Sequence, residues 1–350
     1  MKKNNYFLNF GLILVFTGVV LYFSLKDNFS EVMGAISKMS PLWLLIVLSW
    51  GILYTVVWGL VYFVMGRKYV PDYSVKNGVI VAFVGTFFSG ITPSSTGGQF
   101  AQAYIMKKQG IKVSDGASLL WADFIIYQTT MMIYVTIMFL LKFSYYSQQS
   151  GWFNIILLGY FVNAVVILAL YTMALFPNVY IKLSGWAANF LGKIHIVKDP
   201  QKTLDSWTLQ VKSFTGEIKN LTKDKKTIVI CALINVVRLT LLYSLPYVIG
   251  RALGIDLAPH LIIDVIALSG FVTMANSFIP VPGASGGTEI VFSLLFSPLM
   301  GKLTSAVMIL WRFSTYHIIL LIGGIIFAVV KGRYDKEEAA ANQMNFFSPD

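Results

Sequence analysis

The chain has 350 residues, 56% of them hydrophobic and only 12% charged, with a mean hydropathy of +0.70. Soluble domains carry about 25% charged residues, so a water-soluble fold is excluded. Apolar runs near 20 residues point instead to membrane-spanning helices in a single all-α membrane domain, residues 1–350. The net charge of +11 does not signal nucleic acid, which is excluded as a partner because the basic residues sit in loops beside apolar spans.

Residues 1–25 have the basic and apolar parts of a signal peptide but no small-residue cleavage site before Lys26. The long apolar stretch 7–25 therefore reads as a retained first helix. The next span is 42–64. Residues 79–106 are apolar but broken by "TPSSTGGQF" at 92–100, which leaves arms at 79–92 and 97–106. At ~1.5 Å per residue neither arm crosses a ~30 Å hydrocarbon core, so a re-entrant hairpin is expected.

Span 116–141 carries Asp123, and 152–176 follows it without interruption. Residues 177–227 are the sizeable polar region, with nine lysines against four acids. Within it Leu204, Trp207, Val211, Phe214, Ile218 and Leu221 recur at spacings of three and four, one stripe of an amphipathic helix. That helix either lies on an anionic leaflet or packs under the bundle. Span 228–250 follows and contains Arg238 and, in its apolar run, the single cysteine, Cys231, which rules out an intrachain disulfide. Residues 261–300 are broken by "VPGASGGTE" at 281–289, and their first arm, 261–279, is long enough that spanning and re-entrant readings both stay open. The last span, 303–330, carries Arg312.

With the N-terminus inside, 20 Lys and Arg fall on the inner side and 5 on the outer, while Arg238 and Arg312 lie within spans. This asymmetry predicts a multi-pass cell-membrane protein with both termini cytoplasmic. A gapless shift of 189 residues superimposes the two broken phrases: Pro93 on Pro282, Thr96 on Ser285, Gly97 on Gly286 and Gly98 on Gly287. It also pairs Tyr54 with Tyr243, Phe124 with Phe313, Tyr127 with Tyr316, and Asp123 with Arg312. The repeat units are 42–141 and 231–330, joined by the amphipathic linker 177–227. An odd number of crossings between them inverts one relative to the other, a recurring transporter plan.

Proline removes a donor and glycine permits tight turns. A helix that starts after Gly97-Gly98 or Gly286-Gly287 would point free N–H groups into the bilayer, where protein, water or an anion must meet them. Gln99, Thr96, Ser285 and Thr288 add neutral hydrogen-bonding groups, and Pro93, Pro282 and Gly283 complete the two turns. The bland alternative is a pair of tight turns between packed half-helices. Asp123 and Arg312 lie roughly 10–14 Å into their spans and form the natural buried pair, either as part of a site or as a static salt bridge between halves. Arg238 and Arg312 could instead hold a lipid phosphate. Glu289 follows the second Gly-Gly-Thr, and His317 reads as a bundle histidine. Trp, Tyr and Phe near span ends read as interface anchors. No metal-spaced cluster, P-loop, Rossmann fingerprint or nucleophile elbow occurs, so no catalytic residues, metal or cofactor are expected.

"TPSSTGGQFAQAYIMKKQGI", "SFIPVPGASGGTEIVFSLLF" and the following "WRF" resemble the lysylphosphatidylglycerol synthase transmembrane family, the flippase-like membrane domain of the multiple peptide resistance factor and its stand-alone relatives. The likeness covers about 5–335, and its Pro-Gly-x-x-Gly-x-x-Glu run falls on 282–289. It implies translocation of a phospholipid headgroup between leaflets, aminoacylated phosphatidylglycerol being the best-known cargo. Glu289 matches the family's acid after the second glycine motif, Arg312 the arginine of the following helix, and Asp123 a membrane acid of the first half. Gln99 stands where many relatives carry an acid. No soluble aminoacyl-transferase domain precedes Asp350, so synthase activity is not expected.

The leading expectation is a lipid flippase-like transporter whose partners are membrane lipids, with a second copy or a lipid-modifying enzyme as candidate protein partners. The alternatives are a glycolipid or polyprenyl-phosphate translocator, a non-transporting partner of a lipid-modifying enzyme, and a membrane-embedded transferase using Asp123 or Glu289 as base.

Overall fold

Capping side chains and prolines decide where the helices start. In the computed structural model, which describes residues 39–92, 96–141, 150–194, 196–276 and 287–347 together with a few isolated positions, α1 spans Pro41–Gly66 and begins with the Ser40 hydroxyl accepting from the Trp43 amide. Proline fits that first turn because its missing N–H has no intrahelical partner there. Next come α2 (Val75–Ile91), capped by Ser74 onto the Asn77 amide, and α3 (Gly97–Lys108). Helices α4 (Val113–Leu141), α5 (Ser150–Leu175), α6 (Pro177–Lys193) and α7 (Pro200–Lys223) complete the first part. The second part contains α8 (Lys225–Ala252), α9 (Leu261–Asn276), α10 (Gly287–Met300), α11 (Thr304–Arg312) and α12 (Ile318–Phe347). A π-turn, Phe313–His317, joins the last two. The described residues are helical and contain no strand.

Five segments are long and apolar enough to cross a membrane: α1, α4, α5 from Ile156, α8, and the run Gly287–Glu337. They match the expected spans 42–64, 116–141, 152–176, 228–250 and 303–330. The expected first helix, 7–25, lies outside the described residues, as do Pro93, Pro282, Gly283, Ser285 and Gly286. The chain is an all-α, multi-pass membrane protein.

Both broken segments are pairs of short helices. Helices α2 and α3 have 17 and 12 residues, and α9 and α10 have 16 and 14. At ~1.5 Å per residue all four fall short of a ~30 Å core. In the first pair Gly85 lies against the Gln102 side chain and Gly98 against Ser89, so positions run in opposite directions and the arms fold back on each other. A Cβ on Gly98 would collide with the Ser89 hydroxyl and come within 2.8 Å of the Gly85 carbonyl; glycine is what permits that approach. The second pair is bridged by Thr288, whose hydroxyl donates to Asn276 Oδ1 at 2.9 Å.

Each hairpin has its own apolar cluster. Val81, Ile105 and Met106 pack with Tyr62, Leu119 and Cys231, whereas Val265, Phe271 and Phe292 pack with Leu239, Tyr243 and Trp311. Helices α4 and α8 are long enough to contribute to both clusters, which ties the two halves together. A second tie is the Ser314 hydroxyl in the π-turn. It donates to the Val47 carbonyl at 2.6 Å and accepts from the Gly51 amide at 3.2 Å, entering the hydrogen-bond ladder of α1. Gly51 has no room for a Cβ against the Ser314 carbonyl.

The linker stripe has a definite answer. On α7, Val211 and Phe214 are buried, and the Phe214 ring meets Trp121 of α4 edge-on at 5.0 Å. That stripe packs under the bundle.

Candidate functional site

On α1, Tyr54, Trp58 and Tyr62 are spaced four apart, so they share one face of the helix. Opposite them are Asp123 and Tyr127 of α4, again four apart, and Arg238 of α8. Trp58, Tyr62, Asp123, Tyr127 and Arg238, with Ser89, Gln99 and Gln102 from the first hairpin, surround a cavity of about 340 Å³, and Tyr54 bonds Arg238. Gln99 and Gln102 project from the same face of α3, directly after the Gly97-Gly98 turn.

Asp123 and Arg238 are each only 5% exposed. Burying a charge is costly unless other groups compensate it, and each is compensated differently. Asp123 Oδ2 accepts from Trp58 Nε1 at 3.1 Å and from the Tyr62 hydroxyl at 2.9 Å. Tyr62 in turn accepts from Gln102 Nε2 at 2.8 Å, so a relay links the hairpin to the acid. Asp123 Oδ1 has no hydrogen-bond partner.

Arg238 donates through Nη2 to the Tyr54 hydroxyl at 2.8 Å and through Nη1 to Asn235 Oδ1 at 3.3 Å. Its guanidinium carbon lies 4.9, 4.2 and 4.6 Å from the ring centres of Tyr54, Trp58 and Tyr127. Desolvated cation–π contacts of this kind are worth about 2 kcal/mol or more. Arg238 Nε, like Asp123 Oδ1, has no bond within the protein. One buried carboxylate oxygen and one buried guanidinium N–H are thus unsatisfied in residues that line the same cavity.

At the second break, Glu289 sits in the first turn of α10 and forms an ion pair with Arg312 Nε at 3.2 Å. Arg312 also stacks over Tyr316 at 4.9 Å, and the Tyr316 hydroxyl donates to the Gly90 carbonyl, next to the first break, at 2.9 Å. His317 is buried and meets Tyr316 edge-on at 5.1 Å.

The structure corrects one expected pairing. Asp123 does not bond Arg312; it shares a cavity with Arg238, while Arg312 pairs with Glu289. The reason is geometric, because a correspondence between two positions in sequence places no constraint on the distance between them. The shift of 189 gave correspondence and not contact. Arg238 and Arg312 have different partners, Tyr54 and Asn235 for the first and Glu289 for the second.

The two glycine turns each lie beside one acid–arginine set: Gln99 lines the cavity of Asp123, and Gly287-Thr288-Glu289 leads to Arg312. The amide of Gly97 is not free at the helix start, since it donates to the Thr92 hydroxyl at 2.9 Å. Thr288 is buried, and Thr96 precedes the first turn of α3.

Sequence reading missed Trp58, Tyr62 and Gln102. Neither aromatic stands out in an apolar span that is rich in aromatic residues. The signal that separates them from anchors is the four-residue spacing of three polar aromatics on one helix face, Tyr54-Trp58-Tyr62. A clustering of His, Cys, Asp and Glu able to hold a metal is absent among the described residues.

A family model described as "Lysylphosphatidylglycerol synthase TM region" matches residues 9–323. A "UPF0104 membrane protein" of Archaeoglobus fulgidus is 23% identical over 273 residues, covering 74% of this chain and 78% of the relative. No solved structure matches significantly.

Proposed function

The chain belongs to the lysylphosphatidylglycerol synthase TM region family, and from that premise we propose that it is a flippase-like transporter moving a phospholipid headgroup between leaflets. The observation that carries this reading is the cavity behind the first helix break, where Asp123 and Arg238 are buried together with one polar atom each unsatisfied. Its volume falls in the range of small-molecule sites, roughly 300–1,000 Å³, and suits a polar head whose acyl chains stay in the bilayer.

The chemistry follows from the groups present. Arg238 offers a guanidinium N–H to a phosphate oxygen, a strong charge-assisted bond. Asp123 offers a carboxylate oxygen to an ammonium or hydroxyl of the head, which suits an aminoacylated phosphatidylglycerol. Gln99 and Gln102 extend the polar lining toward the break. Glu289 and Arg312 form the matching station in the other half, closed by their ion pair until a headgroup competes for the arginine. Every step is binding and release, so the protein acts without chemical change to the lipid. The lysine and arginine bias supports residence in the cell membrane with both termini cytoplasmic.

The test is transfer of headgroup-labelled phosphatidylglycerol, aminoacylated phosphatidylglycerol, glycolipid and polyprenyl phosphate in proteoliposomes, read with a membrane-impermeant quencher. Transfer by the wild type that is lost in folded Arg238→Ala and Arg312→Ala supports the reading, and the preferred lipid names the cargo. Wild-type protein that moves no lipid under any gradient but copurifies with a lipid-modifying enzyme overturns it. A covalently altered lipid product overturns it in favour of a transferase.

A further inference from the structure

Helix α6 has two apolar faces, and only one of them is covered. On the inner face Ala188 is fully buried, Gly185 rests against Leu204 of α7, and Gly192 against Pro200. On the outer face Val179, Leu183, Trp186 and Phe190 follow spacings of four, three and four, which places them in one narrow stripe. Each is about half exposed or more, and Trp186 reaches 71%. The Trp186 and Phe190 rings stack at 5.8 Å, nearly parallel, making a continuous aromatic plate.

We propose that this outer stripe seats α6 in the headgroup zone of an anionic leaflet, as an interfacial helix that lies along the membrane surface. Three observations select lipid as the occupant. The stripe continues an existing lipid-facing surface: Leu168, Leu175 and Phe176 of and after the spanning helix α5 are exposed, and Pro177 then turns the chain directly into α6. Lys182 and Lys193 are exposed and lie roughly 50–70° to one side of the stripe at ~100° per residue, where their stems can follow the apolar face while their ammonium groups reach phosphates. The charge is one-sided as well, since Lys182, Lys193 and Lys198 face a lone acid, Asp199, between 177 and 200. An aromatic stripe edged by lysines is the composition of a helix that sinks about 5–10 Å into the headgroup boundary.

The inference is independent of what the protein transports. To test it, Trp186→Cys and Leu183→Cys are labelled with an environment-sensitive fluorophore, with Lys202→Cys at an exposed position of α7 as reference; the native Cys231 is buried and does not compete for label. The full protein is placed in nanodiscs of phosphatidylcholine with and without phosphatidylglycerol. The expected result is several-fold stronger quenching of the two α6 labels by lipid-borne nitroxide than by an aqueous quencher, the reverse at Lys202→Cys, and a several-fold drop in lipid quenching when Lys182→Glu and Lys193→Glu are combined in phosphatidylglycerol discs. Aqueous quenching of the α6 labels equal to that of the reference overturns the proposal. Shielding of the α6 labels from both quenchers also overturns it, because a second copy or another protein then covers the stripe.

Discussion

The two helix breaks share a turn sequence and a tyrosine–arginine stack, yet they hold their charges in different ways. At the first, one carboxylate oxygen of the acid is held by neutral donors, Trp58 and Tyr62, and the arginine lies against three rings. Acid and arginine there sit around a cavity without a direct ion pair. At the second, Glu289 and Arg312 bond each other directly, with side-chain exposures of 28% and 11%. A direct pair consumes the charges that a ligand would need. Neutral hydrogen bonds and aromatic rings hold a charge in place while leaving one edge of it available. The first break therefore keeps unsatisfied polar atoms on an acid and an arginine that line one cavity, whereas at the second the two charges bond each other.

Removing a cation from the buried cluster should produce the largest effect. Arg238→Ala removes the positive charge that shares the cavity with Asp123 and the cation of three ring contacts, and desolvated cation–π contacts of this kind are worth about 2 kcal/mol or more. Thermal unfolding in detergent should show that loss, and Arg238→Lys should recover stability better than transfer, because an ammonium cannot keep the planar stack. If Glu289→Ala destabilises as strongly, the contrast between the two breaks collapses.

Gly98→Ala is next. The new Cβ meets Ser89 and the Gly85 carbonyl, and overpacking of this kind costs about 1–3 kcal/mol. Ser89→Ala should relieve only part of it, since the backbone contact remains; full rescue would place the strain on the side chain alone.

Tyr62→Phe removes the hydroxyl between Gln102 and Asp123 and leaves a buried carboxylate oxygen with one donor fewer, a loss of about 1–3 kcal/mol. Transfer should fall more than stability does. Glu289→Gln keeps an acceptor oxygen beside Arg312 and removes only the charge, so it should cost less than Glu289→Ala, read in the same unfolding assay.

The smallest effect lies outside both breaks. Asp224 caps α8 through Thr227 and pairs with Lys68 beyond α1, tying the ends of the two helices that build the first cluster. The Lys68 hydrogen bond, then the Thr227 amide and hydroxyl, hold its carboxyl down to about 2, below the ordinary ~3.9 of an aspartate. Its contribution is fully present above that ordinary value and fades as pH falls toward 2. Asp224→Asn should lower stability modestly at neutral pH, where that contribution is full, and its difference from the wild type should shrink as pH falls through the acidic window; an equal shift at every pH would show that the charge is not what matters there.

Much of this arrangement was legible in the sequence. Uninterrupted apolar runs located the spans after residue 39, because lipid leaves a backbone few options besides a helix. Pro and Gly located the breaks, because those residues act locally on their own dihedrals and donors. The 189-residue shift also marked Tyr127 and Tyr316 as equivalents, and each lies over an arginine. The amphipathic linker shows the limit. The stripe through Val211 and Phe214 was visible, but an apolar face reads the same whether bundle or lipid covers it. Packing buried that stripe and exposed the one on α6.

By itself, the sequence determined a multi-pass helical membrane protein with two matched helix breaks and ionisable residues buried near them. These features depend on hydropathy, length and backbone chemistry within a few residues. Only the tertiary structure decided which acid meets which arginine. Contacts between Asp123, Arg238, Trp58 and Tyr62 join helices far apart in the chain, and a repeat in sequence gives the symmetry of such partners without giving their distance.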